Sequence, residues 1–336
     1  MKLNRRRLLT AGAAGLAALA MPSILLAQTR PYKIYMILFR GETEVEKGFR
    51  EYLSSRKLPV ELIIRDVDRD VRKIPQLVAE ARALEVDLIY TWGTPVTLAV
   101  AGAKNRVDPE QHVTDIPVLF TMVASPEGSG LVDSRTSSRR NLTGAVHVVP
   151  TEQQLGAMRS YRKLSKLAAI YNPAEPNSVL IVKELQDAAR RDQFQLMEHA
   201  VPLDAQGQPV ATVLPDMIAG IARLQPQMLY LGPDSFLAAN RKVVTEAAVA
   251  NRLPIFSATE IALREGKALF GLVSRYENVG QLTARKAEQI LFKKVRPQDI
   301  PIETLTRFSY IVNMTVAAEL DFYPPLKVIN YAEVIR

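Results

Sequence analysis

The chain has 336 residues, of which 48% are hydrophobic and 23% charged, with a formal net charge of +8 at pH 7. That length predicts about two domains, each large enough to bury its own core. Cysteine is absent, which excludes disulfides, thiolate metal sites, iron–sulfur clusters and cysteine nucleophiles, and the three histidines (His112, His147, His199) share no metal-ligand spacing.

Residues 1–27 read as an export signal. The basic start KLNRRR is followed by the apolar run LLTAGAAGLAALAMPSILLA, which contains Pro22 and ends in the small residue Ala27. Its short, Ala/Gly-rich character predicts cleavage near Ala27 rather than a permanent span. The NRRRLL start is similar to a twin-arginine signal without its usual flanking Ser and Phe, so both the twin-arginine and general secretory routes stay open. Loss of Lys2, Arg5, Arg6 and Arg7 lowers the net charge by four, and the basic residues left behind are dispersed. SSRRN at 137–141 is the nearest thing to a basic block, so no nucleic-acid binding is predicted. A periplasmic, soluble and monomeric mature protein is expected.

From residue 33 onward, apolar β-rich runs recur: KIYMILF (33–39), VELIIRD (60–66), DLIYTW (87–92), PVLFTMV (117–123) and LTGAVHVV (142–149). Their starts are about 25–30 residues apart, the length of one βα unit. Helix-period segments fill the gaps, among them EVEKGFREYLSS, VRKIPQLVAEARAL and TPVTLAVAGAK. Near-continuous apolar strands alternating with helices predict a parallel sheet covered on both faces. The pattern repeats with LAAIY (167–171), FQLMEHAVP (194–202), QMLYLG (227–232), PIFSA (254–258) and ALFGLV (268–273). The fold class is therefore α/β, with two doubly wound parallel-sheet halves divided near residue 150. The tail adds a strong helix at 276–292, the extended RPQDIPIETL, a strand-like YIVNM (310–314) and the short helix TVAAELDF.

In their order and spacing, GTPVTLA (93–99), NLTG (141–144), YNPAEPNS (171–178), VGQLTARKAEQIL with its IPIE follow-on, and YIVN (310–313) resemble one family. It is that of the periplasmic substrate-binding proteins of ABC transporters, of the type associated with tryptophan and tyrosine uptake. The resemblance covers nearly all of the mature chain. It implies the type I periplasmic-binding fold, two lobes joined by a hinge crossed three times, and a membrane permease as partner. By this resemblance residues 28–149 plus 276–305 form the N-terminal lobe, and residues 150–275 plus 306–336 form the C-terminal lobe.

In open parallel α/β sheets, ligands bind beyond the carboxyl ends of the strands. After the first strand, Arg40 either meets a ligand carboxylate or is a solvated arginine before a helix capped by Thr43 and Glu46. After the third, Trp92 is a buried strand end or a cleft wall. Thr94 as N-cap and Pro95 as first helical residue would open a helix end suited to an anion. After the fourth lie Ser125 and Glu127, where the resemblance leads one to expect an aspartate and a small or apolar residue. Ser125 cannot supply the charge an aspartate would bring to a ligand ammonium; Glu127 is the remaining acid.

In the second half, YNPAEPNS supplies Asn172, Glu175, Asn177 and Ser178 around a helix start set by Pro173 and Pro176. Asp234 and Ser235 open the next helix, with capping as an ordinary role for Asp234. Glu260 starts a short helix, and Arg275 and Tyr276 fall at a lobe crossing. Nucleophile-elbow, P-loop, HExxH and dinucleotide fingerprints are all missing, so neither catalysis nor a cofactor is predicted. The sequence points to a receptor for a small solute, an amino acid or related carboxylate first. A sensing module for a membrane receptor or a periplasmic hydrolase or isomerase stays open as an alternative.

Overall fold

The computed structural model describes residues 30–336; the expected export signal at 1–27 lies outside the described residues. The first series of elements is β1 (Tyr32–Leu38), α1 (Glu44–Ser55), β2 (Val60–Asp66), α2 (Ile74–Ala83), β3 (Leu88–Trp92), α3 (Thr94–Ala101), β4 (Val118–Thr121) and β5 (Leu142–Val146). The second is α4 (Thr151–Tyr161), β6 (Lys166–Tyr171), α5 (Pro176–Asp192), β7 (Gln195–Ala200), α6 (Leu214–Arg223), β8 (Met228–Leu231), α7 (Ser235–Ala239), α8 (Arg241–Ala250), β9 (Ile255–Ser257), α9 (Glu260–Arg264) and β10 (Phe270–Val273). The tail holds α10 (Tyr276–Leu291), β11 (Glu303–Thr304), β12 (Ser309–Asn313), α11 (Met314–Leu320), α12 (Leu326–Ile329) and β13 (Glu333–Ile335).

These strands form two sheets, ordered β11-β5-β4-β3-β1-β2 and β13-β12-β10-β9-β8-β6-β7. The chain passes between them three times: after β5, after β10 by way of α10, and between β11 and β12. Pairing is parallel throughout except where β12 runs antiparallel to β10, Phe270 opposite Val312. Register follows the apolar runs, with Tyr32 opposite Val60 and Ile34 opposite Leu88. Every residue of β1 from Ile34 to Leu38 is buried, as expected for a central strand covered on both faces. In the second half, α6 and α8 cover one face of the sheet, packing Ile218, Ile221 and Val244 on Ile170, Leu229 and Leu231.

α1 begins with the predicted capping box. Thr43 Oγ1 accepts from Val45 N–H at 3.2 Å, and Thr43 N–H donates to Glu46 Oε2 at 2.8 Å. α10 lies so close to α1 that a Cβ on Gly280 would sit 1.9 Å from Val45 O, and one on Gly48 would sit 2.1 Å from Glu277 O. The two glycines set this helix spacing, since backbone meets backbone there.

Four local expectations change. Gly93, at φ +85°, is the N-cap of α3, and Thr94 is its first helical residue. A glycine tolerates that φ without the steric cost a threonine would meet. The single helix expected to open at Asp234 and Ser235 breaks at Asn240 into α7 and α8. β4 stops at Thr121 because Met122 adopts a left-handed φ of +56°, and β5 stops at Val146, short of the expected 149. The tail contributes β11 and β13, two short edge strands without an alternating pattern of their own.

Candidate ligand-binding site

The carboxyl ends of both sheets face one cleft. Its narrow inner part, about 30 Å³, is lined from the first sheet's side by Arg40, Trp92, Thr94, Met122, Ala124 and His147. From the second side come Glu175, Asn177, Pro233, Asp234, Ser235, Ala238 and Thr259, with Tyr276 at the start of α10. All but Ala238, inside α7, follow or end a strand or open the helix after it, the placement topology dictates for a ligand site.

Four of these side chains hold buried polar atoms without a partner among the described residues: the three guanidinium nitrogens of Arg40, Trp92 Nε1, His147 Nδ1 and Asn177 Oδ1. Buried polar groups in native proteins are nearly always paired, and an unpaired one costs about 1–3 kcal/mol. Concentrating them around one small cavity is therefore an arrangement kept for something that enters it. Arg40 lies over the Trp92 ring, 4.9 Å from its centroid, a contact that leaves its donors free. Burial lowers its pKa, but an arginine remains protonated. His147 is held neutral: burial first, then the charge of Arg40, bring its pKa down to about 3. Its ring meets Tyr276 edge-on at 6.5 Å.

The opposite wall is acidic and built on two interlocked helix starts. Glu175 is the N-cap residue of α5, and its carboxylate accepts from Ser235 N–H and Ser235 Oγ–H, both at 2.9 Å, at the start of α7. Asp234, the N-cap of α7, accepts from Leu237 N–H at 2.9 Å, from Asn172 N–H at 2.8 Å and from the Ser178 hydroxyl. Each helix start thus donates to the carboxylate at the N-cap position of the other, though only Asp234 caps its own helix. Asn177 is fixed by donating Nδ2–H to Pro233 O at 2.8 Å, which leaves its Oδ1 toward the cavity. Burial raises the pKa of both acids, and the three donors on Asp234 oppose the rise there. Burial, and then the Asp234 charge, push Glu175 up to about 8.

Of the residues singled out from sequence, Arg40, Trp92, Thr94, Asn177, Asp234, Ser235 and Tyr276 line this inner cavity, together with Glu175. Asn172 and Ser178 stand behind it and orient Asp234. The remaining three are placed elsewhere. Ser125 accepts from Gly128 N–H at 3.2 Å in a turn and lines a separate cavity. Glu127 is paired with Arg135 at 2.8 Å. Glu260 accepts from Tyr276 N–H at 2.6 Å and from Arg275 Nε at 2.8 Å, where it holds the start of α10. The sequence reading passed over Met122, His147 and Thr259 as site residues. The signal was present in the strand-end rule, but it depends on where each strand stops, and β5 stops earlier than its apolar run.

Two α/β lobes with a polar cleft between strand ends define a solute-binding protein of the periplasmic-binding type. A profile of the family described as ABC transporter substrate binding protein matches residues 60–335, and the chain belongs to that family. Its members work outside the cytoplasm with an ABC permease. Among curated proteins the chain is 24% identical, over 283 residues, to a tyrosine-binding protein of Clostridioides difficile strain R20291, covering 83% of this chain and 76% of that one. Among solved structures it is similar to a conserved domain protein of Vibrio cholerae O1 biovar eltor, at 19% identity and TM-score 0.79, over 91% of this chain and 100% of the other. It is also similar to an ABC domain from Streptococcus pneumonia in complex with L-Trp, at 21% identity and TM-score 0.78, again over 91% and 100%. At these identities the structural likenesses show the fold.

Proposed function

We propose that this chain captures an α-amino acid or a related carboxylate between its lobes and delivers it unchanged to the permease. The observation that carries the reading is the guanidinium of Arg40, buried in the cleft with its donors unspent. A planar fork of that kind matches a carboxylate bidentately. Facing it, the Glu175–Asp234 pair offers buried negative charge for an ammonium group, and Trp92 Nε1, His147 and Asn177 Oδ1 supply the neutral contacts. The tyrosine-binding and L-Trp-bound relatives support an amino acid-like ligand.

In this proposal the lobes are residues 28–149 with 276–305, and residues 150–275 with 306–336. Export follows cleavage near Ala27 by the twin-arginine or general secretory route, and the mature protein acts as a monomer. Ligand contacts come from both lobes, because only contacts made to both sides favour the closed state over the open one. A thermal-shift screen over amino acids, dipeptides, carboxylates, purines and sugars identifies the class. A true ligand at a hundredfold excess over Kd adds about 2.7 kcal/mol of stability. Trp92 is the sole tryptophan and lines the cavity, so its emission reports occupancy directly. Arg40→Ala should abolish the response to amino acids and carboxylates. An unaltered response in that variant would refute the assignment.

A further inference from the structure

We infer that the ligand carries an extended apolar tail, longer than the side chain of a free aromatic amino acid, which lies along the mouth of the cleft. The inference rests on the proposed head-group site and specifies what must be attached to the head. Beside the inner cavity is a chamber of about 560 Å³, and Thr94, Glu175 and Ser235 line both, so the two spaces adjoin at the head-group residues. Phe39, Pro95 and Leu98 form its wall on one lobe, and Pro209, Phe236 and Ala239 form the facing wall on the other.

The chamber differs from the inner cavity in how its polar groups are used. Asn172 Oδ1 accepts from Ala174 N–H at 3.0 Å, and Asn240 Nδ2 donates to Phe236 O at 2.9 Å. Arg69 and Gln208 lie at the exposed rim. Unspent hydrogen-bonding capacity therefore sits in the inner cavity, while the chamber offers mainly apolar surface from both lobes. A charged head and an apolar body are what such a divided space accommodates. The inner cavity, at about 30 Å³, leaves no room for the body, whereas a chamber of about 560 Å³ falls in the size range of sites for larger small molecules. Apolar contact with both lobes also favours closure, since the tail is desolvated only when the two walls meet.

The test keeps the head constant and lengthens the tail. Titrations of the full mature protein with alanine, norvaline, norleucine, 2-aminooctanoate and phenylalanine are read by Trp92 emission and calorimetry. Affinity should rise about fourfold per added methylene, and 2-aminooctanoate should exceed phenylalanine. In Leu98→Asn and Phe236→Ala the increment per methylene should fall. Equal affinities along the series, or a best fit at phenylalanine with no gain beyond it, would overturn the tail while leaving the head-group site standing. If no member of the series binds, the head-group reading fails and takes the tail with it.

Discussion

Arg40 and Glu175 face each other across the inner cavity, and burial acts on them with different results. The guanidinium stays charged with its fork open, so a lysine in its place keeps the charge and loses the geometry. Arg40→Lys should weaken binding roughly ten- to a hundredfold, the scale of one lost charge-assisted hydrogen bond, as measured by calorimetry. Glu175 instead holds a proton in the folded protein up to about pH 8, whereas the unfolded chain releases it near the ordinary value of 4.5. The folded state then binds more protons between these limits, and its contribution to stability is lost as pH rises through that window. Ligand-free melts from about pH 6.5 to 8 should show this decline, and Glu175→Gln should flatten it. His147 works with the opposite sign. Its folded pKa of about 3 lies below the ordinary 6.5, so stability falls as pH drops through that window. Binding of an ammonium beside Glu175 should expel its proton. Calorimetry near pH 7 in buffers of differing ionisation enthalpy should then register proton release in the parent and none in Glu175→Gln.

Among the elements, α5 and α7 begin against each other, each offering donors to the carboxylate at the other's N-cap position. Ser178→Ala removes one donor from Asp234 while leaving its two backbone donors in place. A loss of about 0.5–1.5 kcal/mol follows, with weakened ligand binding because the acidic wall loosens. The α1–α10 contact is stricter. An alanine at Gly280 would gain roughly 1 kcal/mol of helix propensity, but its Cβ would meet Val45 O at 1.9 Å. The obstacle is backbone and cannot swing aside, so overpacking dominates and Gly280→Ala should destabilise by about 1–3 kcal/mol in urea melts. α10 follows directly on a passage between the sheets, so the same substitution should also alter ligand affinity, although Gly280 does not line the cavity.

For the whole molecule, ligand capture and lobe closure are one equilibrium. Moving a population from about 1:99 to 99:1 closed takes roughly 5.5 kcal/mol of differential binding. No single contact supplies that, so the Arg40 side and the Glu175–Asn177 side are both required. Small-angle scattering should show compaction on saturation with ligand in the parent protein. Arg40→Ala and Asn177→Ala should each reduce it, because each removes the ligand's hold on one lobe. Compaction equal to the parent in both variants would mean that closure does not depend on these contacts.

Much of this was legible before any coordinates. Continuous apolar runs such as KIYMILF must be covered on both faces, and their βα spacing admits few arrangements, so two parallel sheets followed from pattern alone. Strand ends then nominated Arg40, Trp92, Thr94, Asn177, Asp234 and Ser235, and the lobe crossing implied by the resemblance added Tyr276; all of these line the inner cavity. Tertiary structure decided the rest, because the deciding quantities are relations between distant segments. Glu127 left the site by pairing with Arg135. Glu260 was taken up in holding the start of α10. His147 entered the cleft because β5 ended four residues after it began, where the chain turns toward the second sheet. Residue types and periodicity determine which groups can reach a strand's carboxyl end; which of them keep free hydrogen-bonding atoms there depends on the partners that folding brings alongside.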